Sequence, residues 1–379
     1  MIIEVTSPNW ALNSWKRMFD SIITLVMISH RPAAGRQELP GLKSFLRDWF
    51  YNTQSTPLRM LEFYKSILVT GGTTGLGFHA ASEIARSHPD YRIVIASRKD
   101  ADKSAEAINA KLGQRNVEFM PLDLGDLSNV RTFVKTWGEK NLGPLSLLLL
   151  NAALQFPDGI KYTVDGIEAT FGISHVGHAL LFHLLQPYLA DDARIVVTSS
   201  GTHDPAQKSG LPDAKYDTAE ELAHPTAAGT LNNPGRQRYA TTKLCNVLWT
   251  YALHRQILAQ NKKWTGVAFD PGLMPGTGLA REAGSLLRFL WLRVLPTLVP
   301  LLRRVVHHNI HLPQASGANL AWVATVDTET SGVYYEIRKP IKSSVDSYEE
   351  EKQRELWQWT VDFLAKDKQE RERFQNLSI

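Results

Sequence analysis

Residues 66–88 read SILVTGGTTGLGFHAASEIARSH: a short apolar run, a glycine-rich turn and then a helix-like segment. Glycines stand at 71, 75 and 77, a GxxxGxG spacing set directly between strand and helix. Glycine there lets the backbone turn tightly and approach a pyrophosphate, whose charge the N-terminus of the helix then holds. Glycine-rich turns also occur where nothing binds, so the placement between strand and helix is what favours a dinucleotide. Gly71, Thr73, Gly75, Leu76 and Gly77 are the candidate contacts at this end.

The same rhythm continues along the chain. SILVT, YRIVIAS, NVEFMPLD, LSLLLLNAA, ARIVVTSS, WTGVAFDPG and SGVYYEI each read as a buried strand, being apolar or β-branched runs of strand length bounded by turn formers. Helix-like segments such as DADKSAEAINAKLG and DLSNVRTFVKTWGEK lie between them. Apolar strands alternating with helices predict an α/β fold, a Rossmann-type doubly wound parallel sheet of seven strands. The expected organisation is an N-terminal extension over 1–62, a dinucleotide-binding domain over 63–342 and a docked C-terminal helix within 343–379. Leu356, Trp359 and Phe363 would share the packed face of that helix.

Composition narrows the function. A chain of 379 residues, 43% hydrophobic and 21% charged, has material for one large globular domain and is not predominantly disordered. Its 42 basic residues against 38 acidic ones are too evenly balanced for a nucleic-acid groove. Cys245 is the single cysteine, which excludes an intramolecular disulfide and a multi-cysteine zinc site, so a reducing, cytoplasmic compartment is expected. The early apolar run IITLVMI, residues 22–28, is too short to span a bilayer, and no signal peptide is expected.

Ligands of open α/β sheets gather at the carboxyl ends of the strands. The second strand ends in Ser97-Arg98-Lys99, where an NAD-binding chain would place a carboxylate for the ribose 2′-hydroxyl. Two cations would instead face a 2′-phosphate, so NADP(H) is the expected cofactor; the alternative is a pair of solvated strand-end residues. Asp123 and Leu124 follow the third strand, Asn151 and Ala152 the fourth, and Pro271 and Gly272 the sixth.

YATTK, Tyr239 to Lys243, opens a long apolar-periodic run and puts a phenol and an ammonium four residues apart on one helix face. A free phenol, with a pKa of roughly 10, exchanges protons poorly at neutral pH, and a neighbouring ammonium favours its phenolate. With the Ser200 hydroxyl after the fifth strand, the pair would pass a proton to or from a substrate oxygen. A chance surface pair is the alternative.

TGGTTGLG, DL, NAA, SS, YxxxK and PG, in this order and at these strand ends, resemble the short-chain dehydrogenase/reductase family over residues 66–338. The segments DGIEATFGISHVGHALLFHLL and YATTKLCN, with the long interval from Ser200 to Tyr239, resemble its retinol-dehydrogenase and protochlorophyllide-reductase branch. The resemblance implies an NADP(H)-dependent oxidoreductase acting on a ketone, aldehyde or alcohol of a bulky apolar molecule, and a homo-oligomer. It assigns substrate-oxygen binding to Ser200, with Ser199 as the fallback, acid/base work to Tyr239, and ribose binding and pKa lowering to Lys243. Asn151, Pro271 and Gly272 would touch the cofactor. Ser174 stands where the family has a catalytic asparagine, which helps hold a water linking the lysine to solvent. That departure raises a rival reading, a catalytically weak NADP-binding sensor or scaffold.

One tract stays open. Leu286–Val306 is apolar but carries Arg288, Arg293, Arg303 and Arg304 and two prolines, so it is not a simple membrane span. A helix pair packed on the core is the commoner fate of such a stripe. The alternative is an amphipathic segment lying on a membrane or over an apolar substrate.

Overall fold

The computed structural model describes residues 63–156, 159–227, 235–277 and 285–378. The extension expected over 1–62 lies outside them. Each apolar run of the sequence forms a strand of one sheet: β1 (Lys65–Thr70), β2 (Tyr91–Ser97), β3 (Val117–Pro121), β4 (Leu145–Leu150), β5 (Leu189–Thr198), β6 (Thr265–Asp270) and β7 (Val333–Glu336). The helices between them are α1 (Gly75–Ser87), α2 (Ser104–Leu112), α3 (Leu127–Lys140), α4 (169–185), the short α5 (Ala219–Ala223) and α6 (Gly235–Ala259), then α7 (285–305) and α8 (Pro313–Thr325). α4 starts at Ala169–Phe171, passes through a π-helical turn at Gly172–Val176 and continues over Gly177–Leu185.

The sheet order is β3-β2-β1-β4-β5-β6-β7-β8, where β8 is Lys339–Ile341, with β1 to β7 all parallel. Chain direction across the sheet reverses between β1 and β4, and a crevice opens beyond their carboxyl ends, where ligands of doubly wound sheets bind. Alternate strand residues face opposite layers. Leu68, Val94, Leu148 and Ile195 pack with Phe182 and Trp249, while Ile67, Ile95, Leu149 and Val267 pack with Ala80, Ile84 and Leu320. Burial on both faces is why these strands are continuously apolar.

Three expectations are corrected in detail. The sheet has an eighth strand, β8 (Lys339–Ile341), antiparallel to β7 with Tyr335 opposite Pro340. Three residues with a proline give little strand signal, and proline is tolerated there because β8 is an edge. The C-terminal region holds two helices, α9 (Glu350–Leu364) and α10 (Lys368–Gln375). The buried face of α9 is Leu356, Trp357, Val361 and Leu364; Trp359 and Phe363 are half-buried and stack on each other at 4.9 Å. Arg131 of α3 fastens α10 through a fork to Glu370 at 2.7 and 2.9 Å.

The third concerns the arginine-bearing apolar tract. It forms α7, built of Ser285–Phe289, a π-helical turn at Leu290–Val294 and Leu295–Val305. Among its described side chains only Val299 is buried, so the helix pair packed on the core is not what forms. No described helix is long and apolar enough to cross a membrane.

Candidate active site

The glycine turn after β1 has the backbone its sequence requires. Gly71 and Gly75 sit at φ +66° and +56°, where a side chain is strained. A Cβ on Gly77 would fall 2.5 Å from the Gly71 carbonyl oxygen, so this glycine lets α1 close onto the turn and does not itself line the cavity. Thr74, extended at the start of α1, makes no side-chain cap, and the first turn of the helix carries no acid. The backbone N–H groups there are left to an anion. Asn151 locks β4 to β1, its Nδ2 donating to the Thr70 carbonyl at 2.8 Å and its backbone N–H to the Thr70 hydroxyl at 2.8 Å. Thr73 and Ser97 share a hydroxyl hydrogen bond of 2.9 Å, tying the turn to the end of β2, where Arg98 and Lys99 are exposed.

A cavity of about 1030 Å³ runs from this turn to the other end of the crevice. Gly71, Thr73, Gly75 and Leu76 line it, with Arg98 and Lys99, Asp123 and Leu124, and Asn151 and Ala152. Pro271 and Gly272 line it past β6, and Ser199, Ser200, Tyr239 and Lys243 complete the wall. Sixteen of the eighteen residues singled out from the sequence, counting Ser199, therefore meet in one space; Gly77 and Ser174 do not reach it.

α6 places Tyr239 and Lys243 one turn apart and buries both, at 7% and 2% exposure. The Lys243 ammonium donates to the Thr198 carbonyl at 3.0 Å and lies 5.6 Å from the centre of the Tyr239 ring. The two serines divide their work. Ser199 donates its hydroxyl to the Lys243 carbonyl at 2.8 Å and so pins the end of β5 to α6. Ser200 accepts from the Thr202 N–H at 3.3 Å, which leaves its own O–H free to donate into the cavity. His203 braces Ser200: its Nδ1 lies 2.7 Å from the Ser200 carbonyl, and its Nε2 accepts from the Ser344 N–H at 3.1 Å. Those two partners fix the imidazole as the neutral Nδ1–H tautomer.

The electrostatics depart from expectation. Burial raises the Tyr239 pKa well above its ordinary value, and Asp270 adds to the rise. Burial lowers Lys243 to about 8, with Asp270 opposing the fall. Asp270 is the residue the sequence reading missed. It ends β6, is 4% exposed and lines the cavity. Its carboxylate accepts from the Gly272 N–H at 2.9 Å and from Asn309 Nδ2 at 3.1 Å, while burial raises its pKa. An acid closing an apolar strand was visible as a signal; Asn309, Thr277 and Met274 of the same wall carried none.

Ser174 lies in the π-helical turn, 2% exposed, and its hydroxyl has no hydrogen-bond partner. Its carbonyl lies 3.3 Å from Nδ1 of His178, whose Nε2 is 2.8 Å from the Thr70 hydroxyl. The polar chain from this turn thus leads to β1 and Asn151.

The model of the short chain dehydrogenase family matches residues 65–210. A polyprenol dehydrogenase of Danio rerio is 30% identical over 334 residues, covering 85% of this chain and 93% of its own. A chloroplastic protochlorophyllide reductase of Daucus carota is 29% identical over 320 residues, covering 77% and 76%. Among solved structures, a short chain dehydrogenase from Burkholderia cenocepacia in complex with NADP superposes with a TM-score of 0.52 at 22% identity, covering 73% of this chain and 96% of that one. With the glycine turn, the strand order and the Tyr239–Lys243 pair all in place, the protein belongs to the short-chain dehydrogenase family of oxidoreductases.

Proposed function

We propose that the protein is an NADP(H)-dependent reductase of a ketone or aldehyde on a bulky apolar molecule, with Tyr239, Lys243 and Ser200 as its catalytic residues. The observation that carries this reading is the one cavity joining a cationic strand end to a buried Tyr–Lys–Ser group. Its cofactor end fits a dinucleotide. The glycine turn has no room for side chains at 71 and 77, the α1 N-terminus offers unpaired N–H groups, and Arg98 and Lys99 stand where a 2′-phosphate would lie. Gly71, Thr73, Gly75, Leu76, Asp123, Leu124, Asn151, Ala152, Pro271 and Gly272 would complete that wall.

NADPH held there would supply the hydride. Ser200 would donate its hydroxyl to the substrate carbonyl and stabilise the charge growing on that oxygen. Tyr239 keeps its phenol proton at physiological pH, as an ordinary phenol does, and so is the group that would give a proton to the substrate oxygen; burial makes it a weaker acid, which the Lys243 charge beside it would offset. The Lys243 ammonium, anchored by Thr198, would keep a positive charge beside the phenol as the proton leaves. The polyprenol and protochlorophyllide relatives support a lipophilic substrate.

The test is NADPH consumption across carbonyls of increasing apolar bulk, with alcohols and NADP as the reverse assay. Turnover by the wild type that Tyr239→Phe loses is the expected result. Full activity in Tyr239→Phe would sink the mechanism. NADPH binding without turnover of any carbonyl would favour the sensor or scaffold reading instead.

A further inference from the structure

We propose that α7 is a membrane-docking element, seating the mouth of the cavity on an anionic lipid surface so that an apolar substrate enters from the bilayer; the substrate part rests on the function proposed above. Seven apolar side chains of α7 and its C-cap stand in solvent: Phe289, Leu290, Leu292, Leu298, Leu301, Val305 and Val306, the last four at 39%, 59%, 72% and 66% exposure. Singly such residues need no explanation, but a contiguous group does. Leu298, Leu301 and Val305 fall at i, i+3 and i+7 and so form one stripe. Val299 and Leu302 turn the adjoining face toward the protein.

Charge identifies the partner. Residues 285–306 contain four arginines and no acid. Arg288, Arg293, Arg303 and Arg304 are all exposed, and none forms an ion pair among the described residues. At 100° per residue Arg304 lies beside the Leu298–Leu301–Val305 stripe, and Arg303 lies beyond the packed face. An apolar stripe bordered by Arg304, on a helix whose other charges are all arginines with long apolar stems, is the pattern of a helix lying in the headgroup layer of an acidic bilayer.

The element is also tied to the cavity. Trp291 donates its indole N–H to the Thr277 carbonyl at 3.0 Å, and the Gly276 N–H donates to the Trp291 carbonyl at 2.9 Å. Thr277 and Val306 line the cavity, so the exposed stripe and the cavity wall adjoin. A membrane against α7 would therefore lie at the opening.

The test is sedimentation of the full-length protein with phosphatidylcholine vesicles, with and without phosphatidylserine. Binding at least tenfold tighter to the anionic vesicles, weakening with salt, is expected. Arg303→Gln with Arg304→Gln should cost roughly 30-fold, from about a kcal/mol for each basic residue at such a surface. Leu301→Glu with Val305→Glu should abolish binding. NADPH binding by both variants should stay within about twofold of wild type, which separates failure of docking from failure of the cofactor reading. The proposal is overturned by absence of vesicle binding, or by binding that both variants retain, which would place the contact elsewhere in the chain. It is equally overturned by a soluble dimer that both variants dissociate, because a second copy would then cover this face.

Discussion

The Lys243 ammonium and the Asn246 side-chain amide donate to the same oxygen, the main-chain carbonyl of Thr198, each at 3.0 Å. One strand-end carbonyl thus holds the cation inside the site, and Asp270 offsets its burial only in part. Burial brings Lys243 down to about 8, so the ammonium that the mechanism needs is lost as pH rises through that value. The kcat/KM profile for reduction should be flat near neutrality and fall about tenfold per pH unit well above 8. Lys243→Met should remove the limb along with most of the activity. A profile level to pH 10 would show that the charge on Lys243 is not required.

Tyr239→Phe and Ser200→Ala separate proton donation from oxygen binding. Loss of the phenol should cost about 10²- to 10⁴-fold in kcat, and loss of the hydroxyl about 10²- to 10³-fold. Ser199→Ala acts differently, because its hydroxyl serves the Lys243 carbonyl. It should lower the melting temperature, with a smaller effect on kcat than Ser200→Ala. Steady-state kinetics and thermal melts of the three variants check this.

Arg98 is exposed at the end of β2 beside the cavity. A hydrogen bond to a charged group is worth about 1.5–3 kcal/mol, so Arg98→Ala should lower kcat/KM for NADPH by roughly 10- to 100-fold and leave that for NADH nearly unchanged. An equal loss with both cofactors would mean that Arg98 does not distinguish them.

The chain displayed its fold in its strands, because segments buried on both faces, such as residues 67–69, 93–96, 147–150 and 195–197, are continuously apolar and need no partner to be recognised. β8 was hidden by its length and its proline, and the exposure of α7 was hidden because an amphipathic stripe reads alike whether it meets a core or something outside. The site was legible wherever a motif fixes the backbone, as at Gly71 and Gly75. It was not legible where the long-range fold supplies the partner. Asn309 reaches Asp270 from 39 residues away, and His203 reaches the Ser344 N–H from 141. The raised pKa of Tyr239 belongs to that second class, since burial cannot be read from YATTK alone.

Ser174 has a buried hydroxyl bonded to nothing. Removing an unsatisfied polar atom costs little and often stabilises. Ser174→Ala should therefore leave kcat within about twofold of wild type and leave the melting temperature level or slightly higher. A drop of tenfold or more in kcat would place the hydroxyl in the proton path after all.

Acid should unfold the protein through three histidines. His175, His178 and His183 are buried, and burial brings each down to about 3. His183 stacks on Phe374 at 4.6 Å and His175 shares a hydrogen bond with Thr360 at 3.1 Å, so both couple α4 to the C-terminal helices. In the unfolded chain each imidazole returns to about 6.5. Between about 3 and 6.5 the unfolded state binds more protons, so stability falls as pH drops through that window. Each histidine contributes at most about 1.4 kcal/mol per pH unit, and together they should make the melting temperature fall steeply from pH 6 to pH 4.5. His183→Gln keeps a polar atom for Gln186, whose Nε2 lies 3.0 Å from the imidazole, and removes one titration. The slope of unfolding free energy against pH in this window should drop by about a third, and an unchanged slope in that variant would assign the acid lability to other groups.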